Sequence, residues 1–221
     1  MRRQATAVGL FVALGLPFLV DIATGRSAED LSQPSRIVLM ISLEWFIALV
    51  LVAIVLFWER QPLGSIGIRM PARKDITLAF LAFIVGALTF VVTAPVVQAL
   101  GLQTTSPGIE RLAQVPFILR VAIVLTAGIT EEILFRGFPI ERLNTLTGRL
   151  GISALIAYTV FVLLHLPFWG VGGALQVGVW TIVVTLLYVA RRNLTACMLM
   201  HILNDAYAFL LLPLFLPYLP K

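Results

Sequence analysis

Seven long apolar runs take up most of this chain, and they limit its fold more than any other feature. They cover about residues 7–20, 37–58, 76–100, 115–135, 151–166, 171–190 and 194–212. A helix needs ~20 apolar residues to cross the hydrocarbon core of a bilayer. The runs lack the alternation of barrel strands, and open strands cannot span lipid because their backbone groups would stay unpaired. The sequence therefore predicts an all-α, polytopic transmembrane helical bundle with about seven spanning helices.

The composition excludes most other classes of protein. Hydrophobic residues make up 60% of the chain and charged residues 12%, against ~45–50% and ~25% in ordinary globular domains. A soluble domain, a disulfide scaffold, a nucleic-acid-binding domain and a disordered chain are all inconsistent with these values. We therefore expect a single membrane domain over 1–221, with N-terminal helices in 1–110 and a core in 111–212. Its surroundings are the lipid bilayer, and nucleic acid is not an expected partner.

The first apolar run follows Arg2 and Arg3, a pattern that is typical of a signal peptide. The residues that follow it, 21–25, read Asp-Ile-Ala-Thr-Gly and make a poor cleavage site. We therefore expect this segment to be retained as a helix.

Basic residues predict how the helices are oriented, because Lys and Arg concentrate in cytoplasmic loops. With the N-terminus inside, eleven of the 16 Lys and Arg fall in inner segments and five in outer ones. The split favours seven spans, an inner N-terminus and an outer C-terminus. The inner residues are Arg2, Arg3, Arg60, Arg69, Arg73, Lys74, Arg136, Arg142, Arg149, Arg191 and Arg192; the outer ones are Arg26, Arg36, Arg111, Arg120 and Lys221.

A pair of glutamates stands at the end of the fourth apolar run. Ionisable side chains inside a membrane are costly and usually functional. Neighbouring helix residues point ~100° apart, so Glu131 and Glu132 cannot do the same work. Glu132 and Arg136 are spaced i, i+4 and can pair along one face. Glu131 then points elsewhere, toward a cavity if one exists, where a carboxylate suits a general base. The alternative is an ordinary salt bridge at a cytoplasmic helix end.

The only two histidines of the chain also lie in apolar runs. His165 ends one run just before Pro167, where a bond to a backbone carbonyl would explain it equally well. His201, Asn204 and Asp205 are spaced i, i+3 and i+4, so one helical stripe offers an imidazole, an amide and a carboxyl. This spacing is typical of a metal site, a water site or a polar seam between helices.

Depth along each helix, at ~1.5 Å per residue, gives a first estimate of where these groups lie. If Arg136 marks an inner helix end, Glu131 is ~8 Å deep, and His201 is ~14 Å from Arg192. We therefore expect the groups to converge in a cavity that opens to the cytoplasmic side. Glu44, ~12 Å from the outer end, is expected to pair with Arg36 or Arg120 and to have no catalytic role.

Taken together, the motifs resemble those of the CAAX-processing and bacteriocin-immunity protease family, also called the Abi family. That family carries Glu-Glu-x-x-x-Arg, Phe-x-x-x-His and His-x-x-x-Asn on successive helices. This chain is similar over about 115–210. At the last place it has Asp205 where the family pattern has Asn, with Asn204 just before it, so either side chain is a candidate. The matching residues are Glu131, Glu132, Arg136, Phe161, His165, His201 and Asp205.

The resemblance implies an intramembrane endopeptidase of a cell membrane that acts on a peptide or protein in or at the bilayer. In that interpretation Glu131 is the general base on a water and His165 helps to hold the water. His201, with Asp205 or Asn204, bonds the water or the developing oxyanion, and Glu132 with Arg136 orients the site. No His-Glu-x-x-His spacing is present, which favours a mechanism without a metal. If a metal such as Zn²⁺ does bind, Glu131, His165 and His201 are its expected ligands.

Two other interpretations remain open from the sequence. Intramembrane Glu, His and Asp suit a proton-coupled transporter, although inverted repeats and paired broken helices are missing from this sequence. The chain could also be a non-catalytic member of the family that acts as a scaffold or immunity protein.

Overall fold

The computed structural model describes residues 2–215, and that part of the chain holds eight longer helices and two short 3₁₀ helices, Ala28–Ser32 and Leu63–Ile66. No strand occurs among these residues, which confirms the all-α class. The helices are α1 (Arg3–Thr24), α2 (Pro34–Trp58), α3 (Arg73–Ala99), α4 (Ser106–Ala113), α5 (117–147), α6 (Leu150–Leu164), α7 (Leu166–Arg191) and α8 (Leu194–Phe215).

Five of these helices are long and apolar enough to cross a membrane: α1, α2, α3, α7 and α8. The other two predicted spans correspond to α5 and α6. α6 is apolar but only 15 residues long, and α5 carries the paired glutamates and several arginines. A multi-pass helical membrane protein is thus confirmed. The count of seven and the orientation stay predictions, and the C-terminus lies beyond the described residues.

One end of the bundle is formed by 59–72, 141–149 and 191–193, and we call it the basic face. The backbone N–H of Leu194 donates to the carbonyl of Gly67 at 2.7 Å. Gly67 has a φ of 82°, and a Cβ at this position would come within 3.0 Å of the Tyr188 hydroxyl, so a side chain at this turn would be strained. Arg142 donates to Glu59 at 2.7 Å. These contacts join the start of α8 and the last turns of α5 to the loop after α2, and α1 packs on the same turns of α5.

The opposite face is formed by 25–33, 100–116 and 165–170. Here the short helix α4 lies over the bundle, with Gly108 close against the ring of Trp169. Leu112 of α4 forms a small apolar cluster with Leu31 and Phe168. The N–H of Thr105 donates to the side chain of Gln176 at 2.9 Å, which fixes the loop before α4 to α7.

Helix α5 departs from regular α-helical geometry in its middle. It widens into π turns at Ala127–Glu131 and Ile133–Gly137 and then continues as an α-helix through Phe138–Thr147. Single π turns occur frequently at functional sites. The predicted helix end at Arg136 is therefore wrong: Arg136 is 1% exposed and lies within the bundle, where its charge is paired.

Candidate active site

Glu132 is the centre of a buried polar group that joins α5 to α8. Its Oε1 accepts hydrogen bonds from Arg136 Nη1 at 2.8 Å and from His201 Nδ1 at 2.7 Å. Glu132 is fully buried and His201 is 3% exposed. Because a carboxylate oxygen accepts, the Nδ1 of His201 carries a hydrogen, and its Nε2 is turned away from Glu132. The i, i+4 pair of Glu132 and Arg136 is thus present, and it also positions His201.

Arg136 is held from a second direction by aromatic rings. Its guanidinium lies 4.1 Å from the centre of the Phe161 ring, a distance at which a cation is attracted to the π face. Phe161 belongs to α6, so Arg136 connects the helix of the glutamates to the helix of His165. The phenylalanine of the Phe-x-x-x-His motif therefore has a direct contact with the arginine of the Glu-Glu-x-x-x-Arg motif.

Glu131 faces away from this group, as the helical geometry predicts. It lines a cavity of about 420 Å³, whereas Glu132 and Arg136 are not among the lining residues. The Nε2 of His201 lies 3.8 Å from Glu131 Oε2 and 3.5 Å from Asp205 Oδ2. The three side chains therefore surround a small volume at the cavity wall, where a bound water could contact all of them.

His165 lines the same cavity from the end of α6. Its Nδ1 is 2.8 Å from the carbonyl oxygen of Phe161, so this nitrogen donates and carries the ring hydrogen. In the neutral ring Nε2 then keeps its lone pair. The carbonyl bond expected of a helix-end histidine is present, and it leaves the second ring nitrogen available as an acceptor.

The two candidates at the end of the third motif differ in their contacts. Asn204 and Asp205 are both buried, and both line the cavity. Asp205 approaches His201 at 3.5 Å, one helical turn away. The geometry thus associates Asp205 with the imidazole. Which of the two side chains acts on a substrate stays a prediction.

Glu44 reaches this cavity from α2, with partners that differ from those expected. Its Oε1 is 3.3 Å from Arg26 Nη2, and its Oε2 is 3.3 Å from the hydroxyl of Thr130. The predicted pairing with Arg36 or Arg120 is wrong, because Arg26 extends back from the turn after α1 and also bonds Asp21 at 2.9 Å. The sequence marks Glu44 as an intramembrane charge, but nothing in its local pattern points to Arg26.

The positions of these side chains also show whether they are grouped as a metal site. Among residues 2–215, no three His, Cys, Asp or Glu side chains come together as a metal site would require. The Nδ1 of His201 is already bonded to Glu132. The three predicted ligands, Glu131, His165 and His201, are thus not grouped as a metal site in this part of the chain. A mechanism without a metal stays a prediction.

The segment that supplies these side chains matches a known protein family. Residues 113–207 match the family model of the Rce1-like type II CAAX prenyl endopeptidases. Over this segment the chain is similar to that family. The match covers all three motifs and confirms the resemblance seen in the sequence, and the matched family is one of proteases. No curated protein and no solved structure matches the chain.

Proposed function

We propose that the chain hydrolyses a peptide bond of a membrane-associated peptide or protein with a water molecule activated by Glu131. The observation that carries this proposal is the arrangement of Glu131 and His201. Both reach one largely apolar cavity, while Glu132 is withdrawn from it and holds His201 in place. A carboxylate in such a cavity is close to imidazole groups and screened from bulk water, which suits general-base chemistry.

The first step forms the carbon–oxygen bond. Glu131 removes one proton from water, and the oxygen of the resulting hydroxide adds to the carbonyl carbon of the scissile bond. The Nε2 lone pair of His165 accepts the other hydrogen of the water and orients it. The carbonyl oxygen becomes an oxyanion, which needs a hydrogen-bond donor. His201 Nε2, when protonated, or the Asn204 amide provides that donor, and Asp205 holds the imidazole.

The second step breaks the carbon–nitrogen bond. Glu131, now protonated, gives its proton to the amide nitrogen, and the oxyanion re-forms a carbonyl as the amine leaves. The products are a carboxylic acid and an amine, and Glu131 returns to its ionised state. Glu132 and Arg136 take no part in proton transfer; they keep His201 and the wide turn of α5 in position.

The test is cleavage by purified protein in lipid nanodiscs. The wild type, Glu131→Gln and Glu110→Gln are incubated with membrane proteins from a host lacking the chain, and new peptide termini are identified by mass spectrometry. Glu110 is an exposed glutamate of α4 and serves as the matched control. We expect new termini with the wild type and Glu110→Gln, and their loss with Glu131→Gln. Equal termini in all three samples would refute the role of Glu131.

The cleavage assay, together with a pH measurement in sealed vesicles, separates this proposal from the two other interpretations. A non-catalytic scaffold yields no new termini with any variant. A proton-coupled transporter yields none either, but it changes the pH inside sealed vesicles. The substrate would be a peptide or protein in or at a cell membrane, a location that the apolar helices support. Side chains of Phe90, Ile109 and Phe209 line the cavity, which favours an apolar segment over a charged one.

A further inference from the structure

The active-site cavity occupies only one half of the bundle. Its lining residues all fall within 17–47, 87–135, 161–180 and 201–212. These ranges contain the second half of α1, the first half of α2, α4 and the turns of the opposite face. None of the lining residues belongs to 59–72, 141–149 or 191–193, which form the basic face. The cavity therefore lies toward the face away from the start of α1.

A packed layer closes the cavity toward the basic face. Between the cavity and the basic face lie the pair of Arg136 and Glu132 and the side chains of Phe138, Ile66, Tyr188 and Leu194. Each of these residues is 1% exposed or less. Beyond them, hydrogen bonds join Leu194 to Gly67 and Arg142 to Glu59. On the other side, Ser106 of α4 lines the cavity and is itself exposed. Access from water is therefore through the opposite face.

The expectation of a cytoplasmic opening rested on Arg136 as an inner helix end. Helix α5 instead continues to Thr147, which puts Glu131 ~24 Å from that end at 1.5 Å per residue. The estimate of ~8 Å is therefore wrong, and with it the reason for placing the cavity on the cytoplasmic side. The orientation must be judged from the charges of the two faces.

The charges of the two faces differ in the direction that orients membrane proteins. Without the buried Arg136, ten Lys and Arg lie in the basic face or at the starts of α1 and α3 that adjoin it. Four described ones lie toward the opposite face: Arg26, Arg36, Arg111 and Arg120. Only short loops join the helices at the basic face, and short loops are where this bias acts. Acidic partners change the effect little, so the ion pairs of Arg142 and Arg191 do not cancel it.

We propose that the cavity of Glu131 and His201 opens on the non-cytoplasmic side of the membrane. The enzyme then meets its substrate after that segment has crossed the bilayer, so the substrate is an exported peptide or the outward-facing end of a membrane-anchored protein. The identity of the substrate as a peptide rests on the proposed protease function. The side of the opening does not, because it depends only on the fold and on the distribution of charge.

Single cysteines at the two faces test the placement. Ser106→Cys lies at the cavity mouth, and Met70→Cys, at a side chain that is 92% exposed, is its counterpart on the basic face. The natural Cys197 is fully buried, so the wild type serves as the unlabelled control. Intact and permeabilised cells are treated with a sulfonated maleimide, which does not cross membranes.

We expect Ser106→Cys to react in intact cells and Met70→Cys only after permeabilisation. The reverse result, labelling of both variants in intact cells, or a Ser106→Cys that reacts in neither sample, overturns the proposal. Labelling does not require activity, so a protein that labels as expected yet cleaves nothing would refute the protease function alone. Where cleavage is seen, prior treatment of intact cells should reduce it at least tenfold for Ser106→Cys and leave Met70→Cys at its untreated level.

Discussion

Glu131 and Glu132 are adjacent in the chain, but their surroundings require different chemistry. Glu132 accepts hydrogen bonds from Arg136 and His201 and is fully buried. Glu131 lies 3.8 Å from His201 and lines the cavity. Removal of one partner from a buried ion pair leaves an uncompensated charge, which costs ~3–5 kcal/mol. Loss of a general base instead lowers the rate without stranding a charge.

Amide substitutions should therefore separate catalysis from stability. We expect Glu131→Gln to lower turnover ~10²–10⁴-fold while the thermal midpoint in detergent stays close to that of the wild type. Glu132→Gln and Arg136→Gln should lower the midpoint and the activity together. The double variant should cost less than the sum of the single variants, because both remove one shared interaction. An early melt of Glu131→Gln with a stable, inactive Glu132→Gln would reverse the two roles.

The histidines lead to a prediction about metal. His201 uses Nδ1 for Glu132 and His165 uses Nδ1 for the Phe161 carbonyl. Such contacts also accompany metal-bound histidines, so they do not decide the question. The prediction rests on the missing His-Glu-x-x-His spacing and on the finding that, within 2–215, no three His, Cys, Asp or Glu side chains are grouped as a metal site requires. We expect cleavage to survive dialysis against a strong chelator, with metal content measured by mass spectrometry on the same sample. One zinc per chain, with activity lost on removal and restored on addition, would instead make Glu131, His165 and His201 ligands.

At the scale of the elements, the site depends on how closely α5 and α8 approach. Gly128 lies in the first π turn of α5, three residues before Glu131. A Cβ at this glycine would overlap the side chain of Ile202 and come within 3.1 Å of its backbone nitrogen. Ile202 follows His201 directly, so the absence of a side chain at 128 lets the imidazole reach Glu132.

Gly128→Ala should therefore separate the two helices. We expect a loss of about 1–3 kcal/mol in stability, as for other overpacked positions, together with reduced cleavage because His201 moves with the α8 backbone. Gly151→Ala is the matched control: it also lies in a helix, but nothing is within 4 Å of its added Cβ. Thermal melts and cleavage assays on both variants make the comparison. Equal behaviour of the two would show that close packing at 128 does not matter.

The elements also show which features a sequence pattern can predict. The pair of Glu132 and Arg136 was readable because both residues lie on one helix, where spacing fixes direction. The contact of Arg26 with Glu44 was not, because it depends on how the turn after α1 folds back over α2. The continuation of α5 beyond Arg136 was missed for a related reason. An arginine that ends an apolar run predicts that the helix reaches the membrane–water interface there. Arg136 instead stays inside the bundle, because Glu132 and the ring of Phe161 hold its charge.

At the scale of the whole molecule, both α5 and α6 must cross the bilayer if the chain has seven spans. Neither is among the five helices that qualify by length and composition. The structure nevertheless places the turn between them, near Gly148, at the basic face, together with the loop after α2 that Arg142 bonds. If these two helices did not cross, this turn would lie on the same side of the membrane as Thr105 and Pro167.

Gly148 is therefore the position that distinguishes seven spans from five. Its φ of 67° ends α5, and the space around it is open, so an inserted reporter should be tolerated. With seven spans and the basic face inside, reporters at Arg73 and Gly148 should both lie in the cytoplasm and a reporter at Thr105 outside. With five spans, Gly148 should join Thr105 outside while Arg73 stays in the cytoplasm. Each position is fused in turn to alkaline phosphatase, which is active outside the cell, and to a fluorescent protein, which is bright only inside it.

A phosphatase-active fusion at Gly148 would remove α5 and α6 from the spanning helices. An exterior Arg73 with a cytoplasmic Thr105 would instead invert the whole bundle.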